Sequence, residues 1–291
     1  MFVATFLCDP ANPSLDGALV ESLRNAWGGG DVVWLSVDEA AEFVMQAVPA
    51  NIAEVWQVCQ EQGVDLIVQP VAGRRKKMLI ADMDSTMIQQ ECIDELAAEA
   101  GVGARVADIT ARAMNGELDF EAAIDERVGL LADLPETIID HVLNTRITYM
   151  PGGAALLNTM RGQGAYAALV SGGFTAFTAR VADELGFHEN RANTLEIADG
   201  KLTGKVVRPI LGQDAKLEAL NGITETMGIT PVDAIAVGDG MNDLLMLANA
   251  GTGVALHGKP ALQEKVSVRV NHGDLTALLY IQGYAKSEFV T

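Results

Sequence analysis

The chain has 291 residues, 49% of them hydrophobic, which is enough for two domains or one large one around a well-buried core. Its 20 Lys and Arg stand against 39 Asp and Glu, a formal net charge of −19. That balance argues against a general nucleic-acid binder or an anionic-membrane binder, and it favours divalent cations over polyanions. Cys8, Cys59 and Cys92 have no Cys-x-x-Cys spacing and fit neither a disulfide framework nor a zinc knuckle. His141, His188, His257 and His272 are scattered without metal-ligand spacing. Met1 to Cys8 has no basic stretch and runs into Asp9-Pro10, so no signal peptide is expected. No uncharged apolar run reaches the length of a membrane span, and a reducing cytoplasm is the expected location.

Residues 1–73 read as an α+β domain. Met1 to Cys8 is a strand, Ser14 to Trp27 a helix ended by Gly28-Gly29-Gly30, and Asp31 to Val37 and Ala41 to Val48 are two further strands. Ile52 to Gln62 is a helix closed by Gly63, and Val64 to Val71 is a last strand. Glu39-Ala40-Ala41-Glu42 would suit a helix equally well. The order βαββαβ is that of ferredoxin-like domains. No cluster of reactive side chains occurs here.

Arg74-Arg75-Lys76-Lys77 reads as a solvated linker into a larger domain, residues 78–291. Apolar strands are expected at Met78 to Ala81, Ala165 to Val170, Ala234 to Val237, Gly253 to Leu256 and Val266 to Val270. Helices at Met150 to Arg161, Thr175 to Leu185, Asp214 to Met227 and Asp243 to Ala250 separate them, the pattern of a parallel sheet covered on both faces. Asp199-Gly200, within Leu195 to Val207, predicts a β-hairpin. Between Ile93 and Asn144, within a cap expected at about residues 93–148, the chain has no credible strand. Helices at Asp94 to Ala100, Arg105 to Asn115, Asp119 to Leu131 and Glu136 to Leu143, punctuated by Gly101, Gly116 and Pro135, predict a small helical cap over the mouth of the sheet.

The most informative run is Met78-Leu79-Ile80-Ala81-Asp82-Met83-Asp84-Ser85-Thr86. Side chains alternate along a strand, so Asp82 and Asp84 can face one pocket at its C-terminal end, where open parallel sheets bind ligands. Alone, the run could equally be an Asx-type turn. Ser171-Gly172-Gly173 can present a hydroxyl and backbone N–H groups to an anion, although by itself it is a common loop. Gly238-Asp239-Gly240-Met241-Asn242-Asp243 places two carboxylates where they can address one cation, one directly and one through water, or where they cap a helix. Lys216 alone would be an ordinary surface lysine. Together these sites supply the parts for phosphoryl transfer: metal-binding carboxylates, a nucleophile, an anion nest and a cation. No histidine, cysteine or Gly-x-Ser-x-Gly element competes as nucleophile.

In this order, Asp82-Met-Asp84-Ser-Thr86, Ser171-Gly-Gly, Lys216 and Gly238-Asp239-Gly-Met-Asn242-Asp243 resemble the four motifs of the haloacid dehalogenase-like superfamily, over roughly residues 78–257. Asp-x-Asp-Ser-Thr with Glu91-Cys92-Ile93-Asp94 downstream resembles, more narrowly, its phosphoserine phosphatase family. The resemblance implies an α/β fold with a Rossmann-like core, a helical cap and one Mg²⁺. It implies hydrolysis of L-phosphoserine to L-serine and phosphate, the last step of serine biosynthesis. Asp82 would attack phosphorus and become an aspartyl-phosphate, and Asp84 would act as general acid and then general base. Asp82, Asp239 and the Asp84 backbone carbonyl would hold Mg²⁺, with Asp243 in support. Ser171, Gly172, Gly173 and Lys216 would bind phosphoryl oxygens, with Asn242 close by.

Serine selection would fall to Glu91, for the substrate ammonium, and to Arg127, for its carboxylate, with Phe120 shielding the site and Met114 as apolar wall. Without the resemblance, Glu91 is a capping acid and Arg127 a surface partner of Glu121 or Glu126. Rival readings are a phosphotransferase, a phospho-acceptor signalling protein and a metal-binding protein without catalysis. The N-terminal domain resembles ACT-like domains by element order alone and lacks a clear glycine-rich ligand loop. A ligand-sensing or homodimer-forming role there stands beside a purely structural one.

Overall fold

The fold is that of a computed structural model, described over residues 1–115 and 117–291. Gly116, expected to punctuate the cap, lies outside the described residues. The chain opens with β1 (Phe2–Cys8), α1 (Gly17–Trp27), β2 (Val33–Ser36), β3 (Ala40–Met45), α2 (Ile52–Glu61) and β4 (Val64–Pro70). Its strands form an antiparallel sheet in the order β2-β3-β1-β4. The ambiguous segment around Ala40-Ala41 is strand, paired to β1 from Leu7↔Ala40 to Phe2↔Met45. Alternation explains why β1 is almost wholly apolar. Ala4, Phe6 and Cys8 pack under α1 and α2, whereas Leu7 joins the core shared with the rest of the molecule. Asp16 caps α1 by accepting the Ala18 N–H, and Gly28, at φ 65°, ends it in the left-handed region.

The second sheet is parallel. It contains β5 (Met78–Ala81), β6 (Tyr166–Phe174), β7 (Glu189–Asn193), β10 (Ala234–Gly238), β11 (Thr252–Leu256) and β12 (Val268–Val270), in the order β12-β11-β10-β5-β6-β7. A hairpin, β8 (Leu195–Ala198) and β9 (Lys201–Val206), follows β7, turning at Asp199 and Gly200, both with positive φ. Covering helices are α7 (Gly153–Gly162), α8 (Thr175–Leu185), α9 (Gln213–Thr226), α10 (Leu244–Asn249), α11 (Pro260–Gln263) and α12 (Ala277–Ile281). The chain enters at β5, adds β6 and β7 on one side and then crosses to β10 on the other. The strand order therefore reverses at β5 and β10, and their C-terminal ends diverge into a crevice. Over that crevice lies the cap, α3 (Cys92–Glu99), α4 (Gly103–Met114), α5 (Phe120–Gly129) and α6 (Thr137–Thr145).

Four local readings change. Polar Glu189–Asn193 is a parallel edge strand with no apolar signature, and it hydrogen-bonds beside β6. β6 continues through Ser171-Gly172-Gly173 to Phe174, with an irregular register after Val170, instead of turning at Ser171. The strand expected from Val266 begins at Val268. The basic run is a clasp and not a solvated linker. Arg74 makes a two-pronged contact with Glu42, at 2.6 and 2.8 Å, and Arg75 stacks over Tyr284. Lys76 is buried and donates to the Val232 carbonyl at 2.8 Å. Among the described residues, no helix is long and apolar enough to cross a membrane.

Candidate active site

Asp82 is the first residue beyond β5, yet its N–H still donates to the Val237 carbonyl of β10 at 3.0 Å. That bond carries the ladder past the strand end and fixes where the carboxylate emerges. Met83 turns into the core, and Asp84 returns to the face of Asp82, as strand alternation requires. The Met83 carbonyl then accepts the N–H groups of Thr86, Met87 and Ile88, closing a tight turn. Ser85 takes φ 53° in that turn, and its hydroxyl donates to Glu91 Oε1 at 2.5 Å. Glu91 occupies the N-cap position of α3 without capping it, so its carboxylate is turned to the pocket side.

Lys216, in the first turns of α9, is fully buried. Its Nζ lies 2.6 Å from Asp243 Oδ1 and 2.7 Å from Asp82 Oδ1. Burial alone would lower this ammonium, but Asp243 and Asp82 outweigh it and hold the lysine above its ordinary pKa. Asp243 also accepts the N–H groups of Asp239 and Gly240 on Oδ2, each at 3.2 Å. Its oxygens are thus committed to holding the loop after β10. Asp239 differs. Among the described residues both its oxygens are buried without a hydrogen-bond partner, and the carboxylates of Asp82, Asp239 and Asp243 converge within 4.8 Å of one another. A hard divalent cation fits this donor set, because it satisfies oxygens that the protein leaves unpaired.

The carboxyls are held in their protonated direction. Burial, then the Asp243 charge, pushes Asp82 up to about 7, with Lys216 pulling the other way. Burial and then Glu91 place Asp84 well above the carboxylate range, and burial with the surrounding acids does the same for Asp239. A carboxyl that keeps its proton near neutrality can serve as a general acid.

Ser171 Oγ accepts the Gly173 N–H at 2.8 Å. Gly172 and Gly173 have no left-handed φ, so space and not backbone freedom selects them. A Cβ on Gly173 would stand 2.7 Å from Asp84 Oδ2, and one on Gly172 would stand 2.8 Å from Phe120 Cζ. The pocket beneath the cap is lined by Asp82, Asp84, Glu91, Met114, Phe120, Arg127, Ser171, Gly172, Gly173 and Asn242. Lys216, Asp239 and Asp243 lie behind Asp82. All the expected site residues therefore meet in one place.

Arg127 is buried, and its guanidinium donates to the Ala123 carbonyl at 3.2 Å and the Thr110 hydroxyl at 3.1 Å. Thr110 in turn donates to Asp94 at 2.7 Å. Among the described residues, no carboxylate lies within 4 Å of Arg127, which excludes the surface pairing with Glu121 or Glu126. Glu121 instead pairs with Arg208, and Glu126 with Arg105.

Two contributors have no signal in the sequence. Asn193, at the end of polar β7, donates to the Gly172 carbonyl at 2.9 Å and accepts the Leu211 N–H at 2.7 Å, which steadies the Ser-Gly-Gly segment. Lys259 approaches Asp239 Oδ2 at 3.5 Å. Nothing in their neighbouring residues marks either as belonging to a site.

The model of the haloacid dehalogenase-like hydrolase family matches residues 79–248, which carry this site apart from Lys259. The chain belongs to this family. It is 40% identical over 242 residues to the phosphoserine phosphatase SerB2 of Mycobacterium tuberculosis, across 82% of this chain and 59% of that protein. It therefore spans less than two thirds of that relative's length. A haloacid dehalogenase family hydrolase from Salmonella enterica serovar Typhi superposes with a TM-score of 0.85 at 29% identity, covering 97% of this chain and 99% of that one. A phosphoserine phosphatase solved as a phospho-aspartyl intermediate analogue superposes with a TM-score of 0.68 at 40% identity, covering 71% of this chain and 98% of that one.

Proposed function

We propose that this protein is a Mg²⁺-dependent phosphoserine phosphatase that hydrolyses L-phosphoserine to L-serine and phosphate, the last step of serine biosynthesis, in the cytoplasm. The carrying observation is the buried guanidinium of Arg127, which faces a pocket shared with Glu91 and Asp84 and, among the described residues, has no carboxylate within 4 Å. An unpaired buried cation is costly, and a substrate carboxylate would complete it. Glu91 across the pocket suits the ammonium. Phosphoserine carries both groups on one small frame, and the relatives named for that substrate support the reading.

Asp82 is the proposed nucleophile. Its carboxylate attacks phosphorus, the P–O bond to serine breaks, and an aspartyl-phosphate forms, dividing one slow hydrolysis into two easier steps. Asp84 gives its proton to the departing serine oxygen. In the second step it takes a proton from the water that attacks the phosphoenzyme, and the Asp82 carboxylate is released. Ser171, the Gly172 N–H and Lys216 bind phosphoryl oxygens, and Lys216 offsets repulsion between the anionic nucleophile and the anionic substrate. Asp82, Asp239 and the Asp84 carbonyl would hold Mg²⁺, with Asp243 fixing the loop. When bound, the ion neutralises charge on the transferring group. Phe120 and Met114 exclude water, and Asn242 stands beside the phosphoryl site.

The boundaries proposed are an N-terminal domain over residues 1–73 and a phosphatase domain over 78–291, with the cap at about 93–148. The element order β1-α1-β2-β3-α2-β4 and the strand order β2-β3-β1-β4 support a ferredoxin-like, ACT-like assignment for the first domain, with homodimer formation as one role.

A phosphate-release assay over small phosphomonoesters with Mg²⁺ tests the substrate. L-Phosphoserine is expected to be preferred, and failure to hydrolyse it while others turn over would remove the claim. Arg127→Ala should raise KM for phosphoserine far more than for a phosphate ester without a carboxylate. Asp82→Asn should abolish both turnover and phosphoenzyme, and retained turnover would exclude Asp82 as nucleophile.

A further inference from the structure

Lys259 is the N-cap residue of α11, on the loop that follows β11, and no step above uses it. Its backbone N–H donates to the Asp239 carbonyl at 2.8 Å, so the loop is pinned to the residue whose side-chain oxygens lack hydrogen-bond partners among the described residues. Its Nζ lies 3.5 Å from Asp239 Oδ2, and the side chain is 36% exposed while the carboxylate is buried. A long side chain in that position can reach the carboxylate or withdraw to water.

The same loop is tied to the N-terminal sheet by an unbroken set of hydrogen bonds. Asp65, on β4 and fully buried, accepts the N–H groups of Asn271, His272 and Gly273, each at 2.9 Å. The Gly273 carbonyl lies 2.8 Å from His257 Nε2, which must donate because a carbonyl only accepts. His257 sits two residues before Lys259 and takes φ 47°, in the left-handed region that few non-glycine residues adopt. Asp65 thus holds the 271–273 segment, that segment holds His257, and the loop delivers Lys259 to Asp239.

We propose that Lys259 is a positioning residue at the metal site: a tethered cation that shares Asp239 with the divalent ion and competes with it, placed there by the N-terminal domain through Asp65. The inference rests on the proposed Mg²⁺ site. An ammonium and a divalent cation attract the same carboxylate and repel each other, so the lysine must withdraw as the ion binds. Metal affinity is then set partly outside the catalytic pocket.

Calorimetric titration of the 291-residue chain with MgCl₂, without substrate, tests this. Lys259→Met is expected to bind Mg²⁺ about two- to fivefold tighter than wild type, the range for losing one partly exposed competing charge. Lys259→Arg should stay near wild type. Asp65→Asn should shift affinity in the direction of Lys259→Met, and it should have no further effect in the Lys259→Met background, because it acts only through that lysine. If Asp65→Asn does not fold, His257→Gln takes its place in the cycle. An unchanged or weaker affinity in Lys259→Met overturns the competition. An Asp65 effect that persists without Lys259 overturns the route from the N-terminal domain. Wild type that binds no Mg²⁺ overturns the metal reading itself and this inference with it.

Discussion

Lys216 and Asp243 form an ion pair with no solvent exposure on either side chain, Nζ to Oδ1 2.6 Å, and the same Nζ reaches Asp82 at 2.7 Å. One lysine thus counters two of the three carboxylates that converge behind the pocket. Lys216→Met would keep the packing of the stem and remove the charge. Breaking a buried pair from one side costs about 3–5 kcal/mol, so metal-free Lys216→Met should melt several degrees below wild type. Turnover should fall by at least about a thousandfold if charge stabilisation by Lys216 carries the reaction. Thermal melts in EDTA, with phosphate release in Mg²⁺, check both. A variant that melts like wild type would show that the carboxylates shed their charge without the lysine.

The pH dependence of metal stabilisation follows from Asp82, which burial and then Asp243 push up to about 7 in the metal-free fold. A carboxyl raised in the folded state stabilises the fold fully below its unfolded value, near 4, and that stability is lost as pH rises through about 7. Asp84 and Asp239 shift in the same direction. The metal-free protein is therefore penalised progressively from about pH 4 to above 7, and a bound cation relieves the penalty. The melting-temperature difference between Mg²⁺-loaded and EDTA-treated protein is expected to be larger at pH 8 than at pH 5.5. Equal differences at the two pH values would contradict the sign.

Glu42→Ala tests whether the basic run is a clasp. Arg74 is mostly buried against Glu42, and its two contacts tie the start of the second domain to β3 of the first. Removing the acid leaves that guanidinium without its partner, and urea denaturation should register a loss of about 2 kcal/mol. A solvated linker would give a change within about 0.5 kcal/mol.

Arg74-Arg75-Lys76-Lys77 also marks the limit of what is legible in the sequence. The run looks solvated because charge is normally exposed, and its partners Glu42, Tyr284, Glu288 and the Val232 carbonyl are distant in sequence. Asp82 and Asp84 are legible for the opposite reason, since alternation along a short apolar strand is local and fixes which side chains share a face. Lys216 is legible only through its order among the other motifs. As a lone lysine early in α9 it would be assigned to water, and it is in fact fully buried. Asn193 and Lys259 could not be found at all, because a polar edge strand and a loop lysine carry no periodic signal.

Gly173→Ala separates space from flexibility in the Ser-Gly-Gly segment. Gly173 has no left-handed φ, so alanine is permitted by the backbone. Its methyl, however, would stand 2.7 Å from Asp84 Oδ2 and 3.1 Å from Ser171 Oγ, displacing the proposed acid and the proposed phosphoryl ligand together. A misplacement on the ångström scale can cost about a hundredfold, so kcat should fall by roughly that factor while the melting temperature stays within a few degrees. Gly172→Ala presses on Phe120 Cζ at 2.8 Å, the far end of a ring carried by the cap. That ring can move aside, which disturbs closure and not the reacting carboxyls. Gly172→Ala should therefore raise KM several-fold and largely keep kcat. Steady-state kinetics on both variants distinguish the two sites, and equal losses of kcat would mean that both glycines serve the backbone path and not the space around Asp84 and Phe120.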